Sequence, residues 1–281
     1  MRPLLMDGRF HAYHGHLLVP PRSVVSGEFH GMVGSSLADM IAEFNNFTSY
    51  YPGELYIWDI HQHDARNANN GFRALDDQDH QRLYQELQGI QWRAALPDDK
   101  QDLTLRPLDS FISPESKDMR RSSVLIRVPA SWAAKTGFPG PKEGFVSADA
   151  FPLSSRWSDT HHIDRLVADQ TDHLNKMRHS RTSSMHNMDW VLTQSSLQAV
   201  FPVQSIIELS RGSWRALYGR FWRALSDTTY PNMLSLDAVH GSSLKALVMT
   251  VNKCLAARRC GSLGGKVIMP APGVDEMGRG A

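Results

Sequence analysis

Five short runs of apolar and β-branched residues stand out along the chain. Each run is nearly continuous in apolar residues, as strands that are buried on both faces tend to be. A weaker run at 144–151 predicts either one more strand or an extended loop. The five clear runs are Arg9–His14, Leu55–Ile60, Ser123–Val128, Asp189–Thr193 and Met233–Val239.

Helical patterns, in which apolar residues recur at a spacing near 3.6, lie between these runs. The first pattern follows Ser36, which is placed to cap a helix, and Pro52 with Gly53 is expected to end that helix. Further helices are predicted from about Asp77, over 163–176, over 206–225 and over 244–257. The alternation of strands and helices predicts an α/β fold with a parallel sheet.

The chain has 281 residues, which fits a (β/α) TIM-type barrel of roughly 250 residues. Such a barrel needs eight strands, and the shortfall lies mainly at the N-terminus, where the chain opens almost directly into a strand. We therefore expect an N-terminally incomplete barrel over 1–260 that lacks the first strand or two. The Gly- and Pro-rich stretch 261–281 is predicted to be a flexible tail.

The net charge and the hydropathy of the chain limit the classes of partner that it is expected to bind. The formal net charge is +1, so no bulk attraction to nucleic acid or to an acidic membrane is implied. No apolar run approaches the ~20 residues of a membrane span, and the opening residues do not have the pattern of a signal peptide. The sequence therefore does not assign a compartment.

Cys254 and Cys260 lie six residues apart in a helical pattern, so we interpret them as two thiols. A disulfide between them would need a break in the helix near Arg259.

Residues at the ends of parallel strands are the candidates for chemistry, because barrel active sites lie at the carboxyl ends of the strands. His14 is followed by Gly15 and is suited to proton transfer; the alternative is a histidine that merely bonds a backbone carbonyl. Asp59, His61 and His63 have the residue types of a metal site and would share one face of a strand. Against that interpretation, a short His-x-His lacks the distant third ligand that metal sites use, and a solvated loop explains the same residues.

Several segments resemble the phospholipase-C-like phosphodiesterase superfamily, and within it the fungal proteins related to the phosphatidylinositol-specific phospholipase C X domain. The resemblance extends to about Val267 and depends on the order of the segments more than on any one of them. In chain order these segments are Arg2-Pro3, DGRFHAYHG, SSLADMIAEFNNF, PGELYIWDIHQHDARN, WSDT, MDWVLTQ and YPNMLSLDAVH.

The resemblance implies roles for individual residues. In that family one strand bears a first catalytic histidine, the next ends in an Asp-x-Arg motif, and the third ends in a second catalytic histidine. Arg2 matches the arginine that clamps the phosphate, and His14 matches the second histidine, which acts as the general acid. Asp237 resembles the carboxylate that orients the first histidine, while Asp59 and His61 are expected to bind substrate. Nothing in the chain matches the first histidine or the aspartate of the motif.

The implied reaction is phosphoric diester cleavage of a phosphoinositide-type lipid headgroup by histidine acid–base catalysis. Because the first histidine is missing, the chain as written is expected to cleave phosphatidylinositol very poorly. A non-catalytic barrel module and a metal-dependent glycerophosphodiester-type phosphodiesterase that uses Asp59, His61 and His63 are the alternatives. We expect no cofactor, no calcium requirement, a phospholipid or phosphodiester partner, and transient contact with a membrane surface; the oligomeric state is left open.

Overall fold

The computed structural model describes residues 1–18, 28–61, 65–97, 102–112, 121–195, 204–239 and 243–262. The chain divides into two compact units, Met1–Pro152 and Leu153–Ala281, which are called unit 1 and unit 2 below. The predicted boundary between the barrel and the flexible tail is at residue 260. Most of the predicted tail, residues 263–281, lies outside the described residues. Strands in the described residues form three separate sheets, so closure into a barrel stays a prediction.

The described strands of unit 1 form a five-stranded sheet of order β3-β2-β1-β5-β6 and a three-stranded sheet of order β4-β7-β8. The second sheet is parallel throughout, as the alternating pattern predicted. The strands are β1 Pro3–Met6, β2 Arg9–Leu18, β3 Glu28–Ser36, β4 Leu55–Asp59, β5 Arg66–Asn67, β6 Arg73–Ala74, β7 Ser123–Val128 and β8 Phe145–Ser147.

The first strand signal belongs to an antiparallel hairpin, which the sequence analysis did not predict. Asp7 and Gly8 both have positive φ and join β1 to β2 with Met6 opposite Arg9. A two-residue loop with two positive φ angles matches the right-handed twist of the flanking strands, and Asp-Gly is a preferred pair for it. The predicted end of the strand at His14 is therefore wrong, because β2 continues to Leu18 and pairs with β3.

The helices and the two sheets of unit 1 contribute residues to one hydrophobic core. Helix α1 spans Leu37–Tyr50, and the Ser36 hydroxyl accepts a hydrogen bond from the Asp39 amide at 3.1 Å, which confirms the predicted cap. Helix α2 spans Asp77–Leu87 and begins with a reciprocal capping box from Asp76 to Asp79. A short helix, α3, covers Ala130–Ala133. Buried core residues include Leu5, Phe10, Leu37, Ile41, Leu83, Tyr84, Leu87, Val124, Ile126, Val128 and Phe145.

Unit 2 contains a parallel sheet of order β11-β10-β9 in its described residues. Its strands are β9 Leu153–Ser155, β10 Met185–Asp189 and β11 Met233–Ser235. Two predicted ranges are corrected. The strand placed at 189–193 lies four residues earlier, at Met185–Asp189, and the buried Trp190 and Leu192 that suggested it follow the strand. The strand placed at 233–239 ends at Ser235.

The helices of unit 2 bury one apolar face each. Helix α4 spans Ile163–Met177, α5 spans Ile206–Arg220 and α6 spans Ser243–Ala256. A 3₁₀ turn, Phe221–Ala224, continues α5. Their buried residues surround the Met188 and Trp190 side chains and include Leu166, Leu174, Leu209, Leu217, Phe221, Leu247 and Val251.

Cys254 and Cys260 form a disulfide, so the interpretation as two thiols is wrong. On a continuous helix residues six apart would be about 9 Å apart along the axis. Here α6 ends at Ala256, Arg258 has a positive φ of 52°, and the Arg259 amide returns to the carbonyl of Cys254. This reversal brings the two Cα atoms to 4.8 Å, which is within the reach of a disulfide.

Within the part of the chain that the structure describes, no helix is both long and apolar enough to cross a membrane.

Candidate functional site

An ion pair joins the carboxyl ends of two neighbouring parallel strands in unit 1. Asp59 ends β4 and is paired in register with Arg127, the penultimate residue of β7. The Arg127 guanidinium donates to Asp59 Oδ1 at 2.6 Å, while its Nε donates to the Phe151 carbonyl at 2.9 Å. The exposed fractions of the two side chains are 15% and 24%, so water screens this pair less than a surface pair.

His61 adds an imidazole to the same carboxylate. Its Nε2 lies 3.2 Å from Asp59 Oδ2, and its backbone amide donates to the Met1 carbonyl at 2.8 Å. A carboxylate can only accept a hydrogen bond, so Nε2 carries the proton of the neutral ring and Nδ1 presents a lone pair. Partial burial lowers the pKa of His61, against the opposing effect of Asp59, and the charges of Arg2 and Arg127 lower it further. The ring is therefore neutral at pH 7 and able to accept a proton.

Arg2 reaches this cluster from the hairpin, and His14 lies on the strand paired with it. Arg2 lies opposite Tyr13, whose amide donates to the Arg2 carbonyl at 3.0 Å. If the register of β1 and β2 is continued by one pair, Met1 is opposite His14, and Met1 is the residue whose carbonyl binds His61. The structure thus brings Arg2, Asp59 and His61 together, and it places the exposed His14 on the adjoining part of the hairpin.

Asp237, the fifth predicted site residue, belongs to unit 2. It follows β11 and precedes Ala238, which has a positive φ of 51°. Its carbonyl accepts a hydrogen bond from Trp214 Nε1 at 3.0 Å. Its predicted role, to orient a catalytic histidine, stays a prediction.

Arg127 belongs to this candidate site, and the sequence analysis missed it. It was included in the strand Ser123–Val128, where it is the only charged residue of an otherwise buried run. A cation near the end of a buried strand is a usable signal, because charged side chains are rarely placed in such runs without a partner.

A second polar cluster lies on the parallel sheet of unit 2, and the sequence analysis missed it as well. Asp189 Oδ2 accepts from the Ser155 hydroxyl at 2.5 Å, and Oδ1 accepts from Asn187 Nδ2 at 2.6 Å. Asn187 also exchanges hydrogen bonds with the Ser235 hydroxyl, and the Asp189 amide donates to Gln170. Since these groups satisfy one another across three strands, the cluster is best explained as a structural link within the sheet.

His186 is the most strongly perturbed histidine of unit 2. It is fully buried on β10, and among the described residues neither ring nitrogen has a hydrogen-bond partner. Burial lowers its pKa to about 4, and the nearby His173 and Arg178 contribute in the same direction. The His173 ring lies 5.1 Å away between centroids. His186 is therefore a neutral core residue near pH 7.

We expect acid to destabilise the protein through His186. Its folded-state pKa of about 4 is below the ordinary 6.5, so between these values the unfolded chain binds a proton that the native chain does not. Stability therefore falls as the pH falls through this window, by up to about 3 kcal/mol for this one group. Urea unfolding at several pH values measures the slope.

His186→Leu is expected to reduce that slope by about one proton, because the titrating ring is replaced by an apolar side chain of similar volume. His179→Leu, at an exposed position of the same unit, is the matched control and should keep the native slope. An unchanged slope in His186→Leu would show that other groups carry the acid sensitivity.

Among the described residues, no group of three His, Cys, Asp or Glu side chains is placed to hold a metal ion. His63, the third residue of the predicted metal alternative, lies outside the described residues. The metal alternative at Asp59, His61 and His63 therefore stays a prediction.

Comparison with known proteins returns no relative: no family model, no curated protein and no solved structure matches this chain.

Proposed function

We propose that the chain is a phosphoric diester hydrolase of phospholipase-C-like type. Its substrate is a phosphoinositide-type headgroup, which binds at the carboxyl ends of β4 and β7. The observation that carries the proposal is the Asp59–His61 pair flanked by two guanidinium groups, Arg2 and Arg127. With His61 neutral, these side chains carry two positive charges and one negative charge. A net positive site suits a phosphodiester anion.

The proposed chemistry uses the side chains as follows. His61 Nδ1 takes the proton from the attacking hydroxyl, which by resemblance is the inositol 2-hydroxyl. The hydroxyl oxygen bonds to phosphorus, the bond to the glycerol oxygen breaks, and a cyclic phosphate forms. His14 in its protonated form delivers a proton to the departing oxygen. The guanidinium groups stabilise the additional negative charge on the phosphoryl oxygens in the transition state.

The general base is the one role that this proposal assigns differently from the family resemblance. The resemblance assigns the base to a histidine that nothing in the chain matches. His61 has the geometry of a base, because Asp59 fixes its tautomer and orients its ring. Asp237 keeps the orienting role only as a prediction.

The test is the release of water-soluble inositol phosphate from vesicles that contain labelled phosphatidylinositol. Because His61 takes the place of the missing base in this proposal, we expect turnover by the full chain instead of the very poor cleavage expected from the sequence. His61→Gln, which removes the proton acceptor, is expected to lose about 10²–10⁴-fold. His179→Gln, which changes an exposed histidine in unit 2, should keep full activity.

Two outcomes oppose the proposal. Saturable binding of glycerophosphoinositol without any turnover would favour the non-catalytic module. Turnover that requires an added divalent cation, and that survives His14→Ala, would favour the metal-dependent alternative at Asp59, His61 and His63.

A further inference from the structure

A pocket in unit 1 shares no lining residue with the Asp59–His61–Arg127 cluster. It is a cavity of about 220 Å³ that opens between the start of α2 and the segment after β7. Its apolar wall includes Leu75 and the buried Trp132. Its polar lining consists of Arg66, His80, Ser131 and Lys135.

His80 gives this pocket a hydrogen-bond acceptor. The side chain is 3% exposed, and its Nδ1 lies 2.6 Å from the Asp76 carbonyl, so Nδ1 carries the ring proton. Among the described residues Nε2 has no partner, although it is buried. Buried polar atoms nearly always have a hydrogen-bond partner. A donor group within the cavity, such as a hydroxyl, would supply one.

The charged residues that line the pocket are both cations. Lys135 Nζ lies 2.8 Å from Asp77 Oδ1, but that pair is exposed on the surface, and an ammonium group has two further N–H donors. Arg66 is the other cation, and none of the described residues that line the pocket is acidic. Arginine and lysine together are the usual partners of phosphate groups.

We infer that this pocket binds a small organic phosphate that carries a hydroxyl group. The phosphate contacts Lys135 and Arg66, and the hydroxyl donates to His80 Nε2 while the carbon skeleton packs on Trp132. The cavity volume admits only a small molecule of this kind. The inference does not rest on the proposed function, since it concerns binding at other residues and needs no catalysis.

The experiment is calorimetric titration of the full chain with three matched probes. Glycerol 3-phosphate has both features, propyl phosphate lacks the free hydroxyls, and glycerol lacks the phosphate. We expect glycerol 3-phosphate to bind about three- to tenfold more tightly than propyl phosphate, as one neutral hydrogen bond gives. Glycerol alone should not bind measurably.

Variants connect the affinity to named residues. His80→Phe should remove the preference for glycerol 3-phosphate and leave the affinity for propyl phosphate unchanged, which a merely structural role of His80 would not do. Lys135→Gln should weaken both phosphates about two- to fivefold. Lys142→Gln, an exposed lysine of the same unit that does not line the cavity, is the control.

Three outcomes would overturn the inference: no saturable binding of either phosphate, equal losses for both phosphates in His80→Phe, or an unchanged affinity in Lys135→Gln. If His80→Phe does not fold, Lys135→Gln decides, because its side chain is exposed and its replacement leaves the core intact.

Discussion

Replacing Arg127 with leucine is expected to reduce phosphodiester cleavage by about 10²–10³-fold, the loss seen when one preorganised group that stabilises transition-state charge is removed. The guanidinium is held on two sides, by Asp59 and by the Phe151 carbonyl, so it is positioned before substrate binds. Release of inositol phosphate under saturating substrate measures the effect on the chemical step.

A change at Arg127 also disturbs Asp59, which loses its cation while half-buried. Arg127→Lys separates the two effects: it keeps the charge but loses the two-sided guanidinium geometry, so we expect only partial recovery of activity. Arg82→Leu, at an exposed position on α2, is the matched control and should retain activity. If Arg127→Leu folds and turns over normally, the ion pair is structural and the site lies elsewhere.

Trp190→Ala is expected to lower the free energy of unfolding by about 3–5 kcal/mol, which is the cost of removing a large buried aromatic side chain. Trp190 is 1% exposed in the core of unit 2, and its Nε1 donates to the Ser213 carbonyl at 2.7 Å. The truncation leaves a cavity and a carbonyl without its donor. Urea unfolding followed by circular dichroism gives the change.

Trp157→Ala is the control for Trp190→Ala, because that tryptophan is 56% exposed and belongs to the same unit. Its truncation should cost no more than about 0.5 kcal/mol. Trp190→Phe retains most of the volume and loses the donor, so an intermediate loss is expected. A loss in Trp190→Ala as small as that in Trp157→Ala would mean that unit 2 is not packed around Trp190.

Local signals predicted the regular elements well where they were strong. Ser123–Val128 was predicted with its observed bounds, because a buried parallel strand is apolar on both faces. The starts of α1 and α4 were predicted at or next to their observed positions. These signals concern only neighbours in the chain, so no knowledge of distant partners was needed.

Prediction failed where pairing or turn geometry decided the outcome. The apolar run that begins at Trp190 was taken as a strand, whereas the more polar Met185–Asp189 pairs with both neighbours. The Asp7-Gly8 turn was readable as a hairpin signal and was not used. The disulfide required the positive φ at Arg258, a backbone reversal that the helical spacing of the cysteines did not reveal.

The sequence by itself determined the α/β character and the positions of the five longer helices. It also proposed five site candidates: Arg2, His14, Asp59, His61 and Asp237. Only the tertiary structure added Arg127, because its pairing with Asp59 depends on the register of two strands that are 68 residues apart at these positions. The same holds for the pocket at His80, whose lining comes from segments that are distant along the chain. Helix caps and apolar runs depend on residues that are a few positions apart in the chain. A site depends instead on which strand ends lie side by side once the core has packed.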